Sequence, residues 1–92
     1  MAIDPSLQDP KELILAAKNG STAAFGQLYE LYFTPVYRFI LFRVRNQQEA
    51  EDLAQTVFLR VYQSVGNFEE RGYSPLTYFF TVARNIVIDH WR

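Results

Sequence analysis

The fold is decided by residues 52–92, which read DLAQTVFLRVYQSVGNFEERGYSPLTYFFTVARNIVIDHWR. Apolar side chains recur every three or four positions on both sides of a short polar loop, residues 67–74. This spacing is typical of amphipathic helices, whereas a half-buried strand alternates with a period of two. Ser74-Pro75 is a helix start, because serine caps a first turn and proline suits the first helical position. The segment therefore predicts two helices joined by a loop.

The same periodicity extends upstream, so the sequence predicts an all-α fold, a compact bundle of about four helices. Asp9, Ser21 and Asn46 precede apolar-periodic runs and can cap them. The first and third of these are followed three residues later by glutamate, which predicts capping boxes. Pro35 lies inside the second run and predicts a kink, because proline removes a backbone hydrogen bond. The predicted helices span residues 10–19, 22–45 with the kink near Pro35, 47–65 and 75–91.

Composition limits the class of protein. Ninety-two residues with 49% hydrophobic content predict one small domain with a packed core. Eight Phe and six Tyr are more than so small an interior can hold, so some rings should be exposed. The absence of Cys and the single His argue against disulfides and metal sites, and no cofactor is expected. No apolar run approaches the roughly 18 residues of a membrane span, so membrane insertion is not expected.

The charge balance argues against strong DNA binding by this segment alone. Nine Lys and Arg face ten Asp and Glu, a formal net charge of −1. Non-specific affinity for nucleic acid comes from cationic contacts with phosphates. Arg38, Arg43 and Arg45 form a local basic cluster, but this cluster compensates only a little for the lack of net positive charge.

The outward face of the fourth helix has the composition of a surface for single-stranded nucleic acid. Aromatic rings and exposed aliphatic side chains stack on bases, at roughly 1–3 kcal/mol per base. Arg and Asn bond to base edges or phosphates. The alternative is an ordinary polar face turned to water, which is the usual state of a surface helix. The candidate DNA-binding residues on this helix are Tyr78, Thr81, Arg84, Asn85 and Ile88.

The loop before the fourth helix supplies two further candidates, Arg71 and Tyr73. Between them Gly72 allows the backbone to approach a ligand closely, so the loop could accept an unstacked base. The alternative is that the loop only connects two helices. Phe68 and Trp91 are interpreted as packing residues and His90 as structural.

The third helix carries a candidate protein-docking face. Asp52, Gln55 and Thr56 make it polar, and Leu59 is an apolar side chain among them. A partner helix needs such a combination, in which the apolar residue supplies buried area and the polar groups fix the register. The alternative is a solvated face with one stray leucine, which is common on monomers.

The order and spacing of these two surfaces resemble region 2 of bacterial RNA polymerase sigma factors, specifically the extracytoplasmic-function (ECF) branch. Asp52, Gln55 and Phe58 are similar to the polymerase-binding helix of that family. Residues 78–85 and 89–92 are similar to its promoter-reading helix. Further matches are Ala24-Phe25, Leu28-Tyr29, Pro35-Val36-Tyr37-Arg38 and Ala50-Glu51-Asp52-Leu53, so the resemblance runs from about Asp9 onward.

The resemblance implies a promoter-recognition subunit that is not an enzyme and acts in the cytoplasm. Its third helix would dock on the coiled coil of the largest subunit of core RNA polymerase, through Asp52, Gln55, Thr56 and Leu59. Its loop and fourth helix would capture the non-template strand of the melted promoter −10 element, which is mainly single-stranded. An anti-sigma factor is a further expected partner.

The resemblance also implies a domain organisation. Residues 1–8 would be an N-terminal tail and residues 9–92 the region 2 domain. The region 4 domain of the family, which reads the −35 element, is absent from the chain, and the chain is expected to be one domain of a longer protein.

Three departures from the family pattern bear on function. Thr56 stands where an acid is usual, and Tyr78 where Trp is frequent. Glu69-Glu70 in the loop should repel phosphates. The competing hypothesis is therefore a helical protein-interaction module without DNA binding. An enzyme is disfavoured, because the sequence shows no nucleophile–base pair, phosphate loop or metal cluster.

Overall fold

The computed structural model describes residues 9–92, and the predicted N-terminal tail, residues 1–8, lies outside the described part. Within it the chain forms four α-helices and a 3₁₀ turn and contains no β-strand, so the predicted all-α class is confirmed. The elements are α1 Pro10–Lys18, α2 Thr22–Val44, α3 Gln47–Ser64, the 3₁₀ turn Val65–Asn67 and α4 Pro75–His90.

Each helix begins directly after the capping residue that the sequence predicts. A side-chain oxygen accepts a hydrogen bond from a backbone N–H of the first turn, which would otherwise lack a partner. Pro10 and Pro75 occupy the first positions of α1 and α4, as expected. The four cap bonds run from Lys11 N to Asp9 at 2.9 Å, Ala24 N to Ser21 at 3.1 Å, Glu49 N to Asn46 at 2.9 Å and Leu76 N to Ser74 at 3.1 Å.

The predicted helix ends are one residue too long. Asn19, Arg45, Val65 and Trp91 are the C-caps, which flank the helices and do not belong to them. At Arg45 the chain turns left-handed, with φ of 57°, which ends α2. After α3 it tightens into the 3₁₀ turn, a frequent way for a helix to finish. α2 passes through Pro35 as one helix.

The core lies where α2, α3 and α4 meet, and α1 packs chiefly on α2. Phe79 of α4 is fully buried at this junction, and its ring centroid is 5.2 Å from those of Tyr32 on α2 and Phe58 on α3. Aromatic pairs at such separations add stability beyond the area they bury. Leu53, Leu76 and Phe80, which the periodicity places on core faces, are only partly buried against this cluster.

Some aromatic rings are exposed, as the composition predicts. Phe42 is 79% exposed, Tyr73 66% and Trp91 63%. None of the helices in residues 9–92 is both long and apolar enough to cross a membrane.

Candidate functional site

An open cleft of about 610 Å³ lies beside the first turns of α4. This volume falls within the range of roughly 300–1,000 Å³ that is usual for ligand pockets. The end of α3 and the 3₁₀ turn form one wall, the loop 68–74 a second, and α4 the third. The lining residues are Ser64 and Asn67 from the first, Phe68, Glu69, Arg71, Tyr73 and Ser74 from the second, and Thr77, Tyr78 and Thr81 from the third.

The loop beside the cleft is held by one contact at its start and by another in its middle. At its start Lys18, the last residue of α1, donates from Nζ to the carbonyl oxygen of Phe68 at 2.6 Å. Further on, the carboxylate of Glu70 accepts a hydrogen bond from the backbone N–H of Gly72. Gly72 has φ of 82°, a left-handed conformation that favours glycine. The glycine is therefore required by the turn itself.

The charges of the loop are largely paired within it. Arg71 Nη2 lies 2.7 Å from Glu69 Oε2. This hydrogen bond, and then the charge of Arg71, lower the pKa of the Glu69 carboxyl below its ordinary value, with a smaller contribution from Lys18. The carboxylate is ionised at neutral pH even at its ordinary pKa, and the lowered pKa keeps it ionised, and the pair intact, to more acidic pH. Both side chains are exposed, so the pair adds little to global stability.

Tyr78 is part of the cleft wall and is not a freely projecting ring. Its side chain is half-buried, its ring centroid lies 5.4 Å from that of Phe68, and its hydroxyl is hydrogen-bonded to Ser64 Oγ of α3. Tyr78 lies where its ring can stack on a base in the cleft, but its contacts with Phe68 and Ser64 fix the orientation of the ring. The sequence analysis predicts a packing role for Phe68. In the structure Phe68 packs on Tyr78 and also lines the cleft.

The predicted DNA-binding residues fall into two groups. Arg71, Tyr73, Tyr78 and Thr81 line the cleft together. Arg84, Asn85 and Ile88 do not line it, but they follow on the exposed side of α4, where Ile88 is 39% exposed. Helical spacing places positions 78, 81, 85 and 88 on one stripe. An exposed stripe therefore leads away from the cleft along α4.

The predicted docking face on α3 turns outward. Asp52 and Gln55 are exposed, and Leu59 is 56% exposed. Thr56 is half-buried, and its hydroxyl donates to the Asp52 carbonyl oxygen at 3.1 Å. Its proton is thus engaged within the helix, so Thr56 offers a partner mainly an acceptor oxygen and a methyl group.

Six residues that line the cleft were not among the predicted site residues, namely Ser64, Asn67, Phe68, Glu69, Ser74 and Thr77. Asn67, Phe68, Glu69 and Ser74 fall within residues 67–74, which the sequence predicts as the loop. Thr77 lies one residue before Tyr78 on the polar side of α4, so the neighbourhood of all five was available from the sequence. Ser64 gave no such signal. It lies 14 positions from Tyr78, and only the packing of α3 on α4 brings the two hydroxyls together.

Comparison with known proteins identifies the family. The family model for Sigma-70 region 2 matches residues 28–92. Similar proteins include the ECF RNA polymerase sigma factor BldN of Streptomyces coelicolor, 41% identical over 81 residues, which are 88% of this chain and 31% of that protein. SigX and SigM of Bacillus subtilis, also ECF RNA polymerase sigma factors, are 37% and 36% identical over 74% and 72% of this chain.

Because the match takes in most of the chain, the protein belongs to the Sigma-70 region 2 family, and its relatives place it in the ECF branch. The chain spans about a third of the length of these relatives, at 31%, 34% and 39%.

Proposed function

We propose that this domain is the part of a promoter-recognition subunit that joins core RNA polymerase to the melted −10 element. In this proposal α3 binds the coiled coil of the largest polymerase subunit. The cleft and the exposed stripe of α4 hold the non-template strand. The domain catalyses no reaction and needs no cofactor, and it acts in the cytoplasm with the polymerase. An anti-sigma factor would inhibit it by covering one or both surfaces.

The observation that carries the proposal is the cleft with its continuing stripe. A captured single strand needs a recess for an unstacked base and an adjoining surface for its neighbours. The cleft is open and bordered by Phe68, Tyr73 and Tyr78, and Arg71 lies in its wall. Arg84 and Asn85 continue the surface with groups that bond to phosphates or base edges.

In the sequence, the two loop acids favour an interaction module that does not bind DNA. Their contacts in the structure weaken this argument. Glu69 is paired with Arg71, and Glu70 is bonded to the backbone of Gly72. Both carboxylates thus make contacts within the loop, and the positive charge of Arg71 offsets the negative charge of Glu69. The net charge of −1 still predicts weak binding by the domain alone. We therefore expect firm DNA binding only when polymerase supplies further phosphate contacts.

The DNA side of the proposal is tested by fluorescence anisotropy of a labelled −10-type single strand, with and without core polymerase, over a range of salt. The Tyr78→Ala/Asn85→Ala double variant should bind at least about tenfold more weakly, because one stacked base is worth roughly 1–3 kcal/mol. Phe42→Ala is the matched control, since it removes an exposed ring from another part of the surface. Equal binding by the wild type and the double variant in the presence of polymerase would leave the interaction module as the better hypothesis.

The protein side is tested with a fragment of the polymerase coiled coil. Asp52→Ala and Gln55→Ala should each weaken binding, by several-fold or more, because both side chains are exposed on the proposed face. Glu12→Ala is the control for Asp52→Ala, since it removes one exposed acid from α1. Unchanged affinity in both α3 variants would contradict docking through this face.

A further inference from the structure

Positive charge is concentrated where α2 and α4 lie side by side. Residues 31–48 contain Arg38, Arg43 and Arg45 and no acid, and residues 75–88 contain Arg84 and no acid. All four side chains are exposed. The chain as a whole carries a charge of −1, so its acids lie in other parts of the sequence. A local excess of positive charge attracts an anion such as a phosphate.

Helices α2 and α4 run in the same direction along their contact. The rings of Phe39 on α2 and Phe80 on α4 stack with their centroids 5.1 Å apart. At the end of α4, His90 contacts Glu49. Glu49 lies in the first turn of α3, which follows directly after the end of α2. The two helices therefore stay parallel from the stacked rings to their C-terminal ends.

Arg43 and Arg84 lie on the same edge of this contact. Each follows its stacked ring, Phe39 or Phe80, by four residues, and side chains four residues apart share a face of a helix. On α4, helical spacing also places Arg84 between Phe80 and the exposed stripe that contains Asn85. The stripe on α4 therefore continues across Arg84 to Arg43 on α2.

The guanidinium of Arg43 is held in place by Phe39. Its Cζ lies 3.6 Å from the centroid of the Phe39 ring, and its Nη1 donates to the carbonyl oxygen of Phe39 at 2.9 Å. A guanidinium has five N–H groups, and this carbonyl takes one of them. Neither Arg43 nor Arg84 forms an ion pair with a residue in the part of the chain that the structure describes. Arg43 is thus a fixed cation with N–H groups left to donate to a ligand, and fixing it in advance reduces the entropy lost on binding.

We propose that Arg43 and Arg84 form a clamp for one phosphate in the backbone of the DNA strand that α4 holds. Phe39 is a positioning residue that orients Arg43. The inference rests on the proposed function, since the strand must lie on α4. Such a clamp reads no base, but it contributes affinity and fixes the path of the strand. Arg38 and Arg45 lie on other sides of α2 and add only to the local positive potential.

The alternative is that Arg43 only stabilises the end of α2, because a cation in the last turn interacts favourably with the helix dipole. Arg43→Gln separates the two roles, since it removes the charge but keeps a polar side chain. Lys11→Gln is the matched control. It changes the net charge by the same amount at an exposed position on α1.

The experiment measures binding of the full protein, assembled with core polymerase, to −10-type single strands in which one phosphate at a time is replaced by a neutral methylphosphonate. Polymerase adds phosphate contacts of its own, so the informative linkage is one that responds to the variant. At that linkage the replacement should weaken binding by the wild type about threefold or more, the effect of one exposed charge pair.

In Arg43→Gln the same replacement should have no effect, because the variant and the methylphosphonate remove the two partners of one contact. The variant should bind the unmodified strand about threefold more weakly than the wild type. Its affinity should also depend less steeply on salt, by about 0.7 in the slope of log K against log salt concentration. Lys11→Gln should keep the affinity, the salt slope and the response to every methylphosphonate.

The inference is overturned if Arg43→Gln responds to every methylphosphonate as the wild type does. A lower melting temperature of Arg43→Gln together with such an unchanged response would assign Arg43 to the stability of α2 alone. Failure of the proposed function looks different. In that case the wild type and the Tyr78→Ala/Asn85→Ala variant would bind every strand alike in the presence of polymerase. If that double variant binds weakly while Arg43→Gln keeps the response of the wild type, only the clamp is wrong.

Discussion

At the scale of single residues, the loop beside the cleft depends on Gly72. Its φ of 82° is costly for any residue with a Cβ, by roughly 1–2 kcal/mol. An added Cβ would meet nothing within 4 Å, so the cost of substitution comes from the backbone and not from a clash. The glycine therefore sets the path of the chain between Arg71 and Tyr73, two residues that line the cleft.

Gly72→Ala should accordingly distort the loop or destabilise it by about 1 kcal/mol. The measurements are chemical denaturation and affinity for the −10-type strand in the presence of polymerase. Gly66→Ala is a matched control, because Gly66 does not have a positive φ and also has free space around it. It should be neutral or slightly stabilising. Equal effects of the two substitutions would show that the left-handed turn does not matter.

Residue-scale features that depend on neighbours in sequence were predictable, and those that depend on packing were not. The four caps follow from local rules and are all present. The hydrogen bond between Ser64 and Tyr78 joins two helices and could not be foreseen. The sequence pattern predicts that the Tyr78 ring faces outward and can stack on a base, whereas the hydrogen bond to Ser64 holds the ring in the wall of the cleft.

At the scale of helices, α3 is capped by Asn46, whose side chain accepts a hydrogen bond from Glu49 N at 2.9 Å. The predicted capping box also required the Glu49 carboxylate to reach back to this cap. Instead its Oε2 lies 3.4 Å from His90 Nε2 at the end of α4. The local rule thus found the start of the helix, but a tertiary contact redirected one side chain. This contact agrees with the structural role expected for His90.

Asn46→Ala should lower the free energy of unfolding by about 1 kcal/mol, because it leaves a first-turn N–H without its partner. Asn46→Asp should retain most of the stability, since a carboxylate also caps. Gln48→Ala, an exposed position in the same turn, should change stability by no more than about 0.5 kcal/mol. Chemical denaturation measures all three, and equal values for Asn46→Ala and Gln48→Ala would argue that the cap is energetically unimportant.

The exposed faces of α3 and α4 were predictable because helical periodicity alone separates buried from exposed positions. Gln55 and Asn85 had to be exposed for the proposed surfaces to exist, and both are. The periodicity could not show that Thr56 is half-buried, since this depends on its neighbours in the fold.

At the scale of the whole molecule, Phe79 is the largest fully buried side chain among the described residues, and it joins α4 to α2 and α3. Phe79→Ala should cost about 3–5 kcal/mol. This is a large part of the roughly 5–15 kcal/mol that stabilises an ordinary domain. Phe42→Ala makes the same chemical change at a site that is 79% exposed and should cost less than about 0.5 kcal/mol. Similar melting temperatures for the two variants would contradict the assignment of the core.

The cleft is a property of this whole arrangement, which explains why the sequence indicated its loop but not its extent. Its walls come from α3, the loop and α4. Two of these walls were predictable from the composition of residues 67–74 and of α4. The third required knowledge of how closely the end of α3 approaches Tyr78.

The contact between Lys18 and the carbonyl of Phe68 affects how shorter fragments of this protein behave. α1 ends at Lys18, well before residue 28, where the family match starts. A fragment trimmed to the matched residues would lose the amine that pins the loop, together with the buried side chains of Leu13 and Ile14. Such a fragment should retain the face of α3 yet bind single strands poorly, so a negative result obtained with it would say nothing about the intact domain.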